Sequence, residues 1–247
     1  MPLDFARLSL LGNRQENQDR IELIAHPDST LMICVDGMGG HSHGARAAEL
    51  VVDTLGERFT GIARPVFDPQ GFLIMALADA HDRVVDMGEK QHVDQRPRAT
   101  CATCLVQDGT AYWAHVGDSR IYQIRDGRII RRTRDHSHVE VLLREGLIEE
   151  SEMKSHPMRN FVECCLGGDR ALPDMSISGR IELLEGDVLL ACTDGYWSGL
   201  EDEDIVQLGA GQRPLEKLLQ HSSEQAVNSN SPHSDNTSAL ALVWRAE

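Results

Sequence analysis

Apolar residues follow two periods along this chain. Short runs where they crowd or alternate fall at 20–25, 31–35, 100–106, 111–116, 121–124, 175–183, 188–193 and 237–244, and these predict strands. Helical spacing takes over between the second and third runs. There Ala45, Ala48, Val52, Leu55 and Phe59 mark one apolar face, and Leu73, Ala76, Leu77, Ala80 and Val84 mark another. Leu215, Leu218, Leu219 and Ala226 predict a further helix near the C-terminus. Several strands are separated only by short turns: Gln107-Asp108-Gly109, Gly117-Asp118-Ser119, Arg125-Asp126-Gly127 and Leu184-Glu185-Gly186. Turns this short join antiparallel strands, because a parallel pair needs a crossover of about a dozen residues. The pattern is that of an α+β domain with antiparallel sheets and flanking helices.

The 247 residues suit a single domain, 1–247, with enough chain to bury a core without disulfides. Charge narrows the function. With 24 Lys and Arg against 39 Asp and Glu, the formal net charge is −15, which argues against a nucleic acid as main partner. The first residues lack the basic-then-apolar pattern of a signal peptide, and no segment is long and apolar enough for a membrane helix. A cytoplasmic location is therefore expected. Cys101 and Cys104 form a lone CxxC inside a predicted strand, where alternation sends them to opposite faces; packed free thiols are the expectation.

Aspartates sit at the strand ends. Asp36 follows the run 31–35, Asp194 follows 188–193, and Asp235 precedes 237–244. If the last strand runs opposite to the other two, all three carboxylates reach one rim, which Asp118 and Asp19 can share. Like charges so gathered repel unless a cation compensates them, and oxygen donors suit hard ions such as Mg²⁺ or Mn²⁺.

The residues around these aspartates resemble the signature blocks of the metal-dependent type 2C (PPM) serine/threonine protein phosphatases, in their bacterial form. The blocks are Arg14-Gln15-Glu16-Asn17-Gln18-Asp19, Val35-Asp36-Gly37-Met38-Gly39-Gly40-His41 and Ala114-His115-Val116-Gly117-Asp118-Ser119-Arg120-Ile121-Tyr122. They continue with Thr133-Arg134-Asp135-His136-Ser137, His156-Pro157-Met158-Arg159-Asn160, Cys192-Thr193-Asp194-Gly195 and Ser234-Asp235-Asn236-Thr237-Ser238. They keep the family order over nearly the whole chain.

The resemblance implies an αββα sandwich of two antiparallel sheets flanked by helices, with a small flap at about 135–168. It implies that Asp36, Asp194 and Asp235 hold one metal, that Asp36 and the Gly37 carbonyl hold a second, and that Asp118 shares a weaker third with Asp194. A hydroxide bridging two Mn²⁺ or Mg²⁺ ions would attack the phosphorus of phosphoserine or phosphothreonine. Arg14 would clamp the phosphate, a task suited to a planar guanidinium. Asp19 and Asn236 would act from behind the ligands. The implied partners are phosphorylated proteins, a Ser/Thr kinase or its substrates, with no nucleic acid or membrane and a monomeric chain.

The chain departs from the family pattern at three places. Met38 stands where eukaryotic members carry a histidine proposed as general acid, leaving a metal-bound water or His41 as the candidate acid. Gln18 replaces an acidic residue, and Gly12 lies one residue closer to the arginine than usual. Two other readings compete. Gly40-His41-Ser42-His43-Gly44 fits a nucleophile elbow, with Asp194 and His233 following in serine-hydrolase order. Alternatively, the chain is a catalytically silent, phosphatase-like regulatory domain, against which the retained aspartates speak.

Overall fold

The computed structural model describes residues 4–39, 42–211 and 214–245, the Ser42 side chain excepted. Its first half contains β1 (Asp4–Leu10), β2 (Asp19–His26), β3 (Ser29–Met38), α1 (Ser42–Gly61), α2 (Pro69–Gly88), β4 (Arg98–Ala99), β5 (Cys101–Gln107) and β6 (Thr110–Val116). There follow β7 (Arg120–Arg125), β8 (Arg128–Arg132), α3 (His138–Arg144), α4 (Glu150–Met153), β9 (Leu166–Gly167), β10 (Ser176–Ile177) and β11 (Ile181–Glu182). The chain closes with β12 (Val188–Cys192), α5 (Asp194–Trp197), α6 (Asp202–Ile205), α7 (Leu215–Ser229) and β13 (Thr237–Val243).

Two antiparallel sheets result. One has the order β1-β13-β12-β7-β8; the other runs β10-β6-β5-β3-β4-β9, with β2 also on β3 and β11 on β6. The hairpins β5–β6 and β7–β8 turn on Asp108-Gly109 and Asp126-Gly127, whose four residues all have positive φ. Two such residues in succession give the turn whose twist matches that of paired strands, which is why Asp-Gly closes both.

Three apolar layers stack through the molecule. Met32, Cys34, Cys104, Trp113, Leu189 and Leu240 fill the space between the sheets. Leu31, Ile33, Leu55, Phe59, Leu73 and Leu77 join one sheet to α1 and α2. Tyr122, Leu190, Tyr196, Leu219 and Ala241 join the other to α5, α6 and α7. Cys101 and Cys104 fall in different layers, as strand alternation requires, and all six cysteines are free. Each large aliphatic side chain so buried contributes about 1.5–3 kcal/mol of transfer free energy.

The expected αββα arrangement is present, with differences of detail. β1 was not expected: it lies at the edge beside β13, with exposed and partly buried positions dominating. β8 was missed because four of its five residues are exposed and three are arginines, the composition of an edge strand. The predicted strand 175–183 is instead two short pieces, β10 and β11. Between them Ser178 keeps half a ladder pair: its N–H donates to the Trp113 carbonyl at 2.9 Å, but its hydroxyl accepts from the Trp113 N–H at 2.8 Å and donates to the Gly179 carbonyl. On α1, Val51 is fully buried whereas Val52 is only partly so.

Candidate active site

The aspartates come together because three chain crossings end at the same edge of the sandwich. β12 and β13 are antiparallel, so the residue after one and the residues before the other lie side by side. That places Asp194, which opens α5, next to Asp235. β3 delivers Asp36 from the opposite sheet, and Asp19 stands directly across from it in the β2–β3 register. Asp118 arrives on the turn between β6 and β7. The Thr100 hydroxyl meets the Ser119 hydroxyl at 2.7 Å while the Thr100 N–H donates to the Asp36 carbonyl at 2.9 Å, tying that turn to β3.

Asp19 and Asp118 are buried; Asp36, Asp194 and Asp235 are partly buried. Removal from water and mutual repulsion raise the pKa values of Asp19, Asp36, Asp118 and Asp194. Asp36 is pushed well above the usual carboxylate range by desolvation first, then by the charges of Asp19, Asp194, Asp118 and Asp235. Asp194 is raised in the same way, by desolvation, then Asp118, Asp235 and Asp19. Burial lifts Asp118 to about 7, with Asp135 adding to it. Burial lifts Asp19 to about 6, against the nearby Ser238 and Thr193 hydroxyls.

Two groups answer this negative charge in part. Arg14 Nη2 contacts Asp235 Oδ2 at 2.5 Å, so the expected phosphate clamp and one expected metal ligand are paired with each other. Thr193 Oγ1 donates to Asp19 Oδ2 at 2.9 Å, while Asp19 Oδ1 is buried without a hydrogen-bond partner among the described residues. Buried carboxylates with an unanswered oxygen and an all-oxygen donor set fit a divalent cation in chemistry. In position they are not closed on one: among the described residues, no three Asp, Glu, His or Cys side chains converge as a finished metal site does. The Gly37 N–H donates to the Gln18 carbonyl at 3.1 Å, holding the end of β3 against the Arg14 loop.

Asn236 holds that loop from the other side. Its Oδ1 accepts from the Gln18 N–H at 2.8 Å, and its Nδ2 donates to the Leu11 and Glu16 carbonyls at 2.9 and 3.1 Å. Gly12, with φ +61°, completes the seam: a Cβ there would lie 2.1 Å from the Asp235 carbonyl oxygen. The position of Gly12 thus has a physical reason in this chain.

A buttress behind Asp118 escaped the sequence reading. Arg120 makes two parallel hydrogen bonds to Asp135, at 2.8 and 2.7 Å, and its guanidinium lies 3.4 Å over the Trp197 ring. The Trp197 indole N–H in turn donates to the Asp118 carbonyl at 2.9 Å. The signal was present in Gly117-Asp118-Ser119-Arg120 and Arg134-Asp135, but nothing in the spacing pairs the two charges. The candidate acid His41 and the Ser42 side chain lie outside the described residues. The wholly antiparallel pairing of β3 also differs from the parallel sheet in which a nucleophile elbow sits.

Comparison with known proteins agrees with this architecture. The family model for protein phosphatase 2C matches residues 9–231. Protein phosphatase PhpP of Streptococcus pneumoniae is 32% identical over 211 residues, covering 83% of this chain and 84% of its own. The structure of the S. agalactiae serine/threonine phosphatase superposes with a TM-score of 0.89 at 26% identity, over 99% of this chain and 100% of that one. The catalytic domain of the phosphatase PstP, solved in complex with two manganese ions, gives 0.79 at 27% identity over 98% of both chains. By sequence and by fold, this chain belongs to the protein phosphatase 2C family.

Proposed function

We propose that this protein removes phosphate from phosphoserine and phosphothreonine in proteins, using divalent cations held by its rim of aspartates. The observation that carries this reading is the gathering of Asp19, Asp36, Asp118, Asp194 and Asp235, from both sheets, at one edge of the sandwich, close enough that neighbouring charges push Asp36 and Asp194 above the usual carboxylate range. Asp36, Asp194 and Asp235 would hold one ion, Asp36 and the Gly37 carbonyl a second, and Asp118 with Asp194 a weaker third. Mn²⁺ or Mg²⁺ held there would supply a water of lowered pKa and neutralise phosphoryl oxygens.

The protein's own groups do the rest. Arg14 is half-exposed, so its guanidinium can leave Asp235 for an incoming phosphate and receive it with two hydrogen bonds. Asn236 and Gly12 fix the loop from which it reaches. Asp19, directly across the ladder from Asp36, would act from behind the ligands. Met38 has no proton to give, so His41 or a metal-bound water would protonate the leaving alkoxide. Residues 135–168 form a flap: its two feet are joined where the His136 carbonyl accepts from the Glu163 N–H at 2.8 Å, and His138 pairs with Glu163 at 2.7 Å.

The natural substrates would be targets of a Ser/Thr kinase, or the kinase itself, met by a monomer in the cytoplasm. Among the described residues no helix is long and apolar enough to cross a membrane. Phosphate release from a phosphothreonine peptide, with Mn²⁺ and then with excess EDTA, tests the reading alongside Asp194→Asn. Turnover that needs the metal and is lost in the variant is expected; turnover that persists in EDTA would sink it.

A further inference from the structure

A second feature of the surface has no part in the chemistry above. In a chain of net charge −15, the ten residues 125–134 carry Arg125, Arg128, Arg131, Arg132 and Arg134. Arg125 is spent on Asp187, which it holds with two hydrogen bonds of 2.7 Å. Arg131 and Arg132 are exposed, and among the described residues neither makes a salt bridge. Both line a cleft of about 400 Å³ where edge strand β8 of one sheet faces β10 and β11 at the edge of the other. Arg180 lines the opposite wall, also exposed and also without a salt bridge among the described residues. The inner wall is formed by Trp113, whose buried indole N–H has no acceptor among the described residues, and by His115.

The His115 and Thr133 end of the cleft lies beside the segment that carries Asp118. His115 stands three residues before Asp118, and its ring stacks on His136 at 4.6 Å. His136 in turn bonds through its backbone N–H to the Gly117 carbonyl at 2.8 Å, and its ring nitrogen lies 2.8 Å from the Ser176 hydroxyl at the cleft wall. Thr133, at the end of β8, is tied to Ile121 just beyond Asp118, its hydroxyl accepting from the Ile121 N–H at 3.0 Å. A chain leaving the aspartate rim in extended form, at about 3.3 Å per residue, can follow this wall past Arg131, Arg132 and Arg180.

We propose that this cleft binds an acidic or additionally phosphorylated segment of the protein substrate, several residues from the phosphate being removed. The proposal rests on the phosphatase reading of the aspartate rim. Guanidinium groups facing one another across a cleft repel and call for carboxylate or phosphate oxygens between them. Nucleic acid fits worse, because the ligand here is confined to a short cleft and the rest of the surface is acidic. The same charge disfavours an anionic membrane face.

The test pairs two phosphothreonine peptides, one with neutral flanks and one with aspartates on both flanks, and adds p-nitrophenyl phosphate as a substrate with no flanks. In the triple variant Arg131→Glu, Arg132→Glu and Arg180→Glu, KM for the acidic peptide should rise about tenfold, the joint effect of three exposed contacts of modest individual strength. The other two substrates should be unaffected, and the difference should shrink as salt is raised. The milder pair Arg131→Gln with Arg180→Gln should move KM in the same direction by less, which covers the case of a misfolded triple variant. A fluorescent acidic peptide without phosphate, titrated by anisotropy in EDTA, reads the cleft without catalysis.

Binding that weakens in the variants while no substrate is turned over by the wild type would support the cleft and overturn the phosphatase reading. Normal turnover with equal KM and equal peptide affinity in wild type and variants would overturn the cleft and spare the reading. Loss of binding to anionic vesicles or oligonucleotides, with peptide binding unchanged, would also overturn it.

Discussion

Asp19 and Asp36 face each other directly across the β2–β3 ladder, one carboxylate on each strand. Neighbouring like charges at a partly desolvated position are destabilising unless a cation lies with them. In protein stripped of metal, folded Asp19 and Asp118 keep their protons to about pH 6 and 7, whereas an aspartate ordinarily releases its proton near 3.8. The native state then binds more protons than the unfolded one between about pH 4 and 7, so stability falls as pH rises through that window.

The corresponding variant is Asp36→Asn. In EDTA at pH 8 its thermal midpoint should exceed that of the wild type, because a repelled charge is gone. Added Mn²⁺ should raise the wild-type midpoint and leave the variant's nearly unchanged, with activity absent throughout. Differential scanning fluorimetry at pH 5 and 8 decides the matter; a wild type that gains stability with pH in EDTA would count against this account.

The Arg14–Asp235 pair leads to a kinetic expectation. Arg14 must give up Asp235 to hold a phosphate, so its contribution belongs to substrate binding. Arg14→Ala should raise KM by roughly tenfold to a hundredfold, the worth of hydrogen bonds to a charged group, with a smaller change in kcat. Arg14→Lys should recover little, since an ammonium cannot supply two parallel bonds. Steady-state kinetics on a phosphothreonine peptide separates the two parameters, and a loss confined to kcat would contradict the clamp.

Behind Asp118, Arg120 and Asp135 are both largely buried, with side-chain exposures of 11% and 4%. Removing one partner strands the other. Arg120→Met should therefore destabilise the fold by about 3–5 kcal/mol, whereas replacing both with apolar residues of similar size should recover much of that loss. Urea unfolding of the single and double variants measures it. A single variant as stable as the wild type would show that the pair is not the support of the Asp118 turn.

The placement of these groups was unevenly legible in the sequence. Asp36 and Asp194 could be found because each ends a run of buried apolar residues, and the short Asp-Gly turns dictated antiparallel pairing. Asp235 followed once the last strand was taken to run backwards, as it does. β8 was hidden because edge strands need no apolar face; its three arginines read as surface. β1 was hidden for the same reason, with Ala6 its only buried residue. The Arg120–Asp135 contact depends on how the chain returns after β8, and Asn236 acts on backbone carbonyls more than two hundred positions away. Local pattern records burial and turns; it does not record which distant groups those turns bring together.

Gly12 offers a way to separate loop geometry from chemistry. Its φ of +61° is strained for any other residue, and a Cβ would overlap the Asp235 carbonyl oxygen at 2.1 Å. Gly127 has a similar φ of +69° in its hairpin turn, but a Cβ there meets nothing within 4 Å. Both Gly12→Ala and Gly127→Ala should therefore lose about 1 kcal/mol from the backbone alone. Only Gly12→Ala must also push the 234–236 segment away from the Arg14 loop, moving Asp235 and loosening the Asn236 contacts to Leu11, Glu16 and Gln18. It should need more Mn²⁺ for half-maximal activity and show a raised KM, while Gly127→Ala keeps wild-type values of both. Equal metal requirements in the two variants would mean that the seam between Gly12 and Asp235 does not set the site's geometry.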